Sequence, residues 1–410
     1  MKLSELFTRT EKSVSQEDIS INAQLLERGG FIYKNSSGVY TYLPLGWRVI
    51  SKINQIIREE MNAIGGQEML MPALVSKRYW EASDRWNVDI AYKLKDAGDH
   101  EFALGWTHEE VLAEIARRYI KSYKDLPFSA YQIQTKFRNE PRAKSGVLRG
   151  REFIMKDLYS FHRDAEDLNK FYWQVAEAYT KIFQRCGLEA YIAEASGGDF
   201  TKEYTHEFQV LSEAGEDSIF YCAECRYAQN KEISTLANGG KCPKCGGKVI
   251  LGKAIEVGNI FRLGTRFSEA FDLNYVDEHG SSHLVVMGSY GIGPSRVLGT
   301  LAEVFHDDKG LLWPKAVAPF AVYLIMLDNK RAEADKLFEQ LRAAGVEVLY
   351  DNNDERSAGE KFADADLLGI PTRLVVSAKT LKENSVERKA RGATATELVK
   401  LTEIVKELRK

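Results

Sequence analysis

Phe137-Arg138-Asn139-Glu140 and, past a basic loop, Arg149-Gly150-Arg151-Glu152-Phe153 decide the reading of this chain. Tyr131 to Arg138 and Glu152 to Phe161 have strand character, and Arg142 to Gly150 reads as a polar loop between them. Arg138 and Glu140 stand at alternate positions, so a strand would turn both to one side. Charges on a buried sheet face are costly unless a charged ligand compensates them. A guanidinium matches phosphate oxygens two at a time, and Phe153 offers a flat face to a purine. Strand, basic loop and strand with these groups make a cradle for a nucleoside triphosphate, and it is not a P-loop.

A second segment closes the same cradle. Met287-Gly288-Ser289-Tyr290-Gly291-Ile292-Gly293-Pro294-Ser295-Arg296 leads from a strand into a helix that runs through Val304. Gly291 and Gly293 leave the backbone open to a ligand. Arg296, one turn into the helix, is placed to reach a distal phosphate.

Outward from these segments the elements alternate. Val49, Ile53, Ile56, Ile57, Met61 and Ile64 recur at helical spacing, so Leu45 to Ile64 is an amphipathic helix ended by Gly65-Gly66. Glu68 to Leu74 reads as a buried strand interrupted by Pro72, which suits an edge or interface. Glu109 to Ile120 and Ala165 to Gln184 are helical, and Leu188 to Ala195 is a strand. Beyond Trp313-Pro314 and Pro319 the pattern changes. Strands at 321–327, 346–350 and 373–377 alternate with helices at 331–344 and 358–368, which argues a small α/β module ending in a helix from about Ala395 to Arg409. The expected architecture is α+β: an antiparallel-sheet body flanked by helices, a small zinc-ribbon-like insert, and a C-terminal α/β domain. The corresponding boundaries are 1–220 and 251–315 for the two parts of the body, 221–250 for the insert and 316–410 for the last domain.

A chain of 410 residues, 44% hydrophobic and 28% charged, has globular composition with room for two or three domains. Charges interrupt the N-terminus too early for a signal peptide. No apolar run is long enough to span a bilayer, so no membrane is expected and the cytoplasm is the default location. The net charge of −3 excludes a general polycation, so a nucleic-acid partner must meet local basic surface. Two stretches qualify. Lys136 to Arg151 holds six basic residues (Lys136, Arg138, Arg142, Lys144, Arg149, Arg151) against Glu140 alone, and the last forty residues hold ten Lys/Arg against five Glu.

Cys222, Cys225, Cys242 and Cys245 form two Cys-x2-Cys pairs separated by sixteen residues. That spacing is typical of a zinc ribbon. Four sulfur ligands leave no open position, so the expected Zn2+ is structural. Cys186, alone at the end of a helical pattern, reads as apolar filler.

Taken together, the helix and strand ending at Pro72, Arg138-x-Glu140 and the glycine-rich segment ending in Arg296 resemble the signature of class II aminoacyl-tRNA synthetases. Finer matches are similar to the bacterial prolyl-tRNA synthetase family: Trp106-Thr107-His108-Glu109-Glu110, Arg149 to Phe161, His206-Glu207-Phe208, Gly215-Glu216-Asp217, Ile255 to Gly264, and Gly359 to Pro371. The resemblance implies activation of L-proline with ATP to a prolyl adenylate and transfer to the 3′ end of tRNA(Pro), with Mg2+ as cofactor and a homodimer as the working form. By the same resemblance Arg138 binds the α-phosphate and the amino-acid carboxylate, Glu140 the adenine side, and Arg149 and Arg296 the outer phosphates. Phe153 stacks on adenine, and Glu256 and Asn259 touch ATP and Mg2+. Thr107 and Glu109 receive the secondary ammonium of proline. Met155, Tyr159 and Phe261 wall the proline pocket, with Asp157 nearby. The dimer face is expected from the Leu45–Ile64 helix and the Pro72 strand. The C-terminal module is similar to an anticodon-binding domain, whose last helix and Arg388-Lys389-Ala390-Arg391 are candidates for tRNA phosphates.

One departure stands out. Bacterial relatives carry a large editing domain just after a stretch like Cys225 to Asn230, and here only a short hairpin bearing Cys242-Pro243-Lys244-Cys245 fills that place. Self-editing of alanyl-tRNA is therefore not expected. Two other readings are a catalytically silent relative, which would be expected to lose Arg138, Glu109 or Arg296, and a sister enzyme for threonine or serine, which the Met155 and Phe261 walls suit poorly. His206-Glu207 is assigned no step.

Overall fold

Strands of one long, mostly antiparallel sheet carry Phe153, Met155, Asp157, Glu256, Asn259 and Phe261 among the residues named above. The computed structural model describes residues 1–410 apart from 14–19, 144, 199–200, 202 and 410, so Lys144 lies outside the described residues. The chain forms two units, one of residues 1–35, 40–52 and 301–410, the other of 36–39 and 53–300.

The larger unit is built on a nine-stranded sheet. Its order is Thr205–Leu211, Ala190–Ala195, Ala228–Asn230, Asp217–Cys222, Val249–Gly264, Val286–Ile292, Glu152–His162, Phe128–Phe137 and Gln67–Glu68. All neighbours are antiparallel except Gln67–Glu68 against Phe128–Phe137 and Ala228–Asn230 against Ala190–Ala195. Val249–Gly264 is long enough to serve two partners along one edge: Asp217–Cys222 pairs with its start and Thr205–Leu211 with its middle. Cross-strand partners share a face. Gln132, Asp157, Gly291, Asn259 and Glu207 therefore form one row across five strands.

The helix Ala165–Cys186 covers the opposite face with Leu168, Tyr172, Val175, Tyr179, Ile182 and Phe183 buried. Its N-cap Asp164 accepts from the Asp167 amide, and Gly187 ends it in the left-handed conformation. Cys186 is fully buried under it, as an apolar filler should be. Lys156 also points to this side. Its ammonium donates to the Tyr290 carbonyl at 3.0 Å and to the Tyr179 hydroxyl, and burial drives its pKa well down.

In the smaller unit a five-stranded sheet runs Val348–Asp351, Val322–Met326, Thr372–Val376, Ser385–Ala390, Glu397–Lys400. The first three are parallel and the last two antiparallel. Helices Arg331–Ala343 and Leu401–Leu408 pack Leu337, Phe338, Leu341 and Ile404 against it.

Two expectations about elements change. The last helix begins at Leu401, and the preceding 385–400 is a hairpin. The stretch 69–73 forms no strand: only Gln67–Glu68 and Leu74–Ser76 are extended ladders, and Leu70 is 73% exposed. The helix Pro44–Ala63 has Val49, Ile53, Ile57 and Met61 fully buried, while its Trp47 is exposed. No helix among the described residues is long and apolar enough to cross a membrane.

Candidate active site

A cavity open to solvent lies on the sheet face just described. Arg138, Glu140, Arg149, Phe153, Glu256, Asn259, Gly291, Gly293 and Arg296 line it. So do Thr107, Glu109, Met155, Asp157 and Phe261. Residues from five separate stretches of sequence thus meet around one space.

Arg138 and Glu140 reach the cavity by a different route from the one expected. The strand ends at Phe137, and a tight turn follows in which the Glu140 amide donates to the Arg138 carbonyl at 2.7 Å. The Arg138 amide is held by the Arg151 carbonyl at 2.8 Å. The Arg138 guanidinium sits 5.3 Å from the Phe153 ring centroid. Its Nε is buried without a partner. Burial, and then the neighbouring Arg296, lower the pKa of Arg138. A half-buried, under-partnered cation facing a cavity calls for an anion.

Glu140 does a second job by orienting Arg149, which donates to it from Nε (3.0 Å) and Nη2 (2.8 Å). The other edge of Arg149 reaches Glu216 at 3.0 Å. Arg296 is clamped by the Leu148 carbonyl and by Glu256. Gly291 shows why glycine is needed: a Cβ there would meet no protein atom within 4 Å and would jut into the cavity.

The opposite end of the cavity is acidic and rigid. Glu109 and Glu110 open the helix Glu109–Tyr119, where the helix dipole favours negative charge. Both are fully buried. Glu109 accepts from the Thr107 hydroxyl and from Ser289 Oγ at 3.0 Å. Arg85 supplies the counter-charge, 3.3 Å from Glu109 and 2.9 Å from Glu110. Sequence reading missed Arg85. Its only signal was that two adjacent buried acids need a cation from somewhere.

Behind the acids runs a polar network. Gln132 donates to Asp157 at 2.9 Å, and Lys136 lies 3.0 Å from the same carboxylate. Burial alone would raise the Asp157 pKa, but Lys136 and His108 bring it below the usual range. His108 Nε2 donates to the Pro72 carbonyl (2.8 Å), so its Nδ1 accepts from Lys136 (2.9 Å). That fixes a neutral tautomer, and burial with the Lys136 charge lowers the His108 pKa to about 4.

Tyr159 belongs to this network and not to the wall. It is fully buried, outside the cavity lining, and its hydroxyl donates to Asp157 at 2.8 Å and accepts from the His108 amide at 2.7 Å. Its hydroxyl also lies 3.3 Å from the Thr107 hydroxyl, and Ser289 is its cross-strand neighbour.

His206 and Glu207 face opposite sides of their strand. His206 Nδ1 meets the Tyr172 hydroxyl at 2.7 Å. Glu207 accepts from Gln209 (2.8 Å) and Asn230 (3.1 Å). Burial, then the nearby Glu256, raises the Glu207 pKa to about 8.

Away from the cavity the four thiols gather as their spacing predicts. Sγ atoms of Cys222, Cys225, Cys242 and Cys245 all lie within 4.8 Å of one another, with 3.6 Å for Cys222–Cys245 and for Cys225–Cys242. Sulfurs at about 2.3 Å from a zinc ion stand at nearly this separation in a tetrahedron, so the set fits Zn2+. The basic C-terminal stretch is less available than expected. Arg391 is paired with Asp307 at 2.6 and 2.7 Å, and Arg388 with Glu397 and Glu407.

Comparison with known proteins agrees with this geometry. Residues 92–305 match the family described as tRNA synthetase class II core domain (G, H, P, S and T), and residues 321–410 match the anticodon binding domain family. A proline–tRNA ligase of Dehalococcoides mccartyi is 34% identical over 557 aligned positions, covering 99% of this chain and 98% of the relative. One from Moorella thermoacetica is 35% identical, covering 96% and 95%. Another, from a Geobacillus species, is 35% identical and covers 100% and 99%. With a shared core, a shared C-terminal domain and identity running the full length, this chain belongs to the proline–tRNA ligase family of class II tRNA synthetases.

Proposed function

We propose that the chain activates L-proline with ATP and transfers it to tRNA(Pro). The observation that carries this is that Arg138, Arg296 and Glu109, remote in sequence, line one cavity. The proline carboxylate attacks the α-phosphorus in line, and the bond to pyrophosphate breaks. An ionised carboxylate needs no general base, so the barrier is charge repulsion and alignment. Arg138, half-buried with an unpartnered Nε, neutralises the approaching carboxylate and α-phosphate. Arg149 and Arg296 hold the outer phosphates, Glu140 the adenine side, and Phe153 the adenine face.

Glu256 and Asn259 would hold Mg2+, their side chains being 3.1 Å apart on the cavity face. When bound, the ion supplies charge neutralisation at the phosphates. Thr107 and Glu109 receive the secondary ammonium, with Ser289 and Arg85 fixing the carboxylate of Glu109. Met155 and Phe261 form the apolar wall and Asp157 the polar floor. One methylene in such a pocket discriminates by about 1–3 kcal/mol, so alanine enters at a low rate.

The rest of the reading follows from supporting features. The alignment with the Dehalococcoides relative runs 557 positions against a chain of 410 residues. The relatives therefore carry residues that this chain lacks, which supports loss of the editing activity. The four thiols hold a structural Zn2+ in a reducing, cytoplasmic setting. A homodimer is supported by Leu70 (73% exposed), Tyr119 (70%) and Leu74 (44%), apolar residues left open to solvent.

Pyrophosphate exchange run separately with proline, alanine, threonine and cysteine tests the assignment. Proline should support the fastest exchange, alanine a slow one, and threonine none. Exchange led by threonine, or absent with all four, would defeat it. Alanyl-tRNA(Pro) offered to the pure enzyme should persist, and rapid deacylation would refute the loss of editing.

A further inference from the structure

Two exposed lysines on the cysteine hairpin face each other across an antiparallel bridge. The Cys242 amide donates to the Gly247 carbonyl at 2.6 Å and the Val249 amide to the Gly240 carbonyl at 2.8 Å. Between these bonds Lys241 is bridged to Lys248 in antiparallel register. Flanking bonds of this kind make a non-hydrogen-bonded pair, the closer of the two antiparallel arrangements, with Cα atoms about 4.5 Å apart. Side chains so placed stand on one face, and like charges directly opposite destabilise the ladder. Both lysines are exposed, and neither has an ion-pair partner among the described residues.

The hairpin's surroundings are of the same sign. Residues 222–248 contain Arg226, Lys231, Lys241, Lys244 and Lys248 against Glu224 and Glu232, in a chain whose net charge is −3. Lys231 is also exposed. Val249 continues from Lys248 into the strand that carries Glu256 and Asn259 to the cavity. Seven residues of strand span roughly 23 Å, so the lysine pair stands outside the cavity on the same sheet.

We propose that the Lys241–Lys248 pair docks the phosphate backbone of the tRNA acceptor arm, whose 3′ end must enter the cavity to receive the amino acid. This rests on the reading of the chain as a tRNA-charging enzyme. A polyanion supplies direct partners to the exposed lysine pair, and phosphate contacts position RNA without reading its sequence. The hairpin thereby serves as a small tRNA-guiding surface beside the active site.

The test uses K241E, which puts opposite charges across the bridge, and the double variant K241Q/K248Q, each in the full chain. K241E should keep or raise Tm while its KM for tRNA in aminoacylation rises several-fold. The double variant should raise that KM about tenfold and lower the slope of log(kcat/KM) against log salt by about 2. An acceptor-arm minihelix should show the same losses. Zinc content and proline-dependent pyrophosphate exchange without tRNA should match wild type. A tRNA KM within twofold of wild type in both variants overturns the proposal. So does a raised KM accompanied by loss of zinc, which would make the lysines counter-charges for the thiolates. Weakened binding of whole tRNA with an unaffected minihelix overturns it too. Absence of proline-dependent exchange in the wild type would instead defeat the enzymatic reading.

Discussion

Arg296 and Glu256 are tied twice: Arg296 Nη1 donates to the Glu256 main-chain carbonyl at 3.0 Å and to its carboxylate at 3.2 Å. With Nε on the Leu148 carbonyl at 2.8 Å, the guanidinium plane is set by backbone groups from a strand and from a remote loop. Nε and Nη1 are thereby engaged by the protein, and Nη2 is left for a ligand on the cavity side.

A lysine cannot reproduce that fork. R296K should raise the KM for ATP in pyrophosphate exchange by about 10- to 100-fold, as expected for losing a charge-assisted bond of about 1.5–3 kcal/mol, while the KM for proline changes little. Equal effects on both substrates would argue against a phosphate role.

Glu109 gives the complementary case. In E109Q the carboxylate charge is lost but the side chain keeps its shape, and Arg85 retains Glu110 at 2.9 Å. Proline KM should rise about 10- to 100-fold, on the scale of a charged hydrogen bond, with ATP KM within twofold. An unchanged proline KM would place the ammonium elsewhere.

Zinc should be found at one ion per chain in protein purified without chelator. C225S should lose it and show a lower Tm, because the hairpin's apolar packing is only Phe220, Cys222, Cys242 and Val249 with Tyr227 and Leu236. Wild-type protein free of zinc, with an unaltered Tm, would make the thiols a metal-free loop.

The His108 contribution to stability should fall on mild acidification. The folded-state pKa of His108 is lowered to about 4, first by burial and then by Lys136. An unfolded histidine titrates near 6.5. The native state therefore binds fewer protons than the unfolded state between these values, so stability is present above about pH 6.5 and is lost as pH falls toward 4. At pH 5 the His108 contribution is on the order of 2 kcal/mol. Glu207, whose pKa is raised to about 8, acts in the opposite sense over this range, so the His108 part is read as a difference: between pH 7 and pH 5, urea unfolding should show wild type losing about 2 kcal/mol relative to H108Q. A difference between wild type and H108Q that is the same at both pH values would contradict the assignment.

Much of the site was legible because its chemistry is local. Arg138, Arg149, Phe153 and the Gly291–Arg296 segment sit in short stretches whose residue types have few other uses together. Cys222 to Cys245 announced their site by spacing alone. What was hidden depended on tertiary placement. Arg85 meets Glu109 and Glu110 only after the chain folds back across more than twenty residues. Tyr159 shares a face with Met155 and Asp157, so alternation could not show that its hydroxyl is engaged by Asp157 and the His108 amide. In the C-terminal unit, charged residues at Glu387, Arg388 and Lys389 masked a strand whose side chains are paired with Glu397, Glu407 and Arg373. The expected helix start at Ala395 failed for the same reason.

Titration with a non-hydrolysable prolyl-adenylate analogue tests most directly whether one cavity holds nucleotide and imino acid side by side. Binding should occur at one site per chain, ATP and proline should each displace the analogue, and R296K and E109Q should each weaken it. Displacement by ATP alone, or binding indifferent to E109Q, would contradict the account.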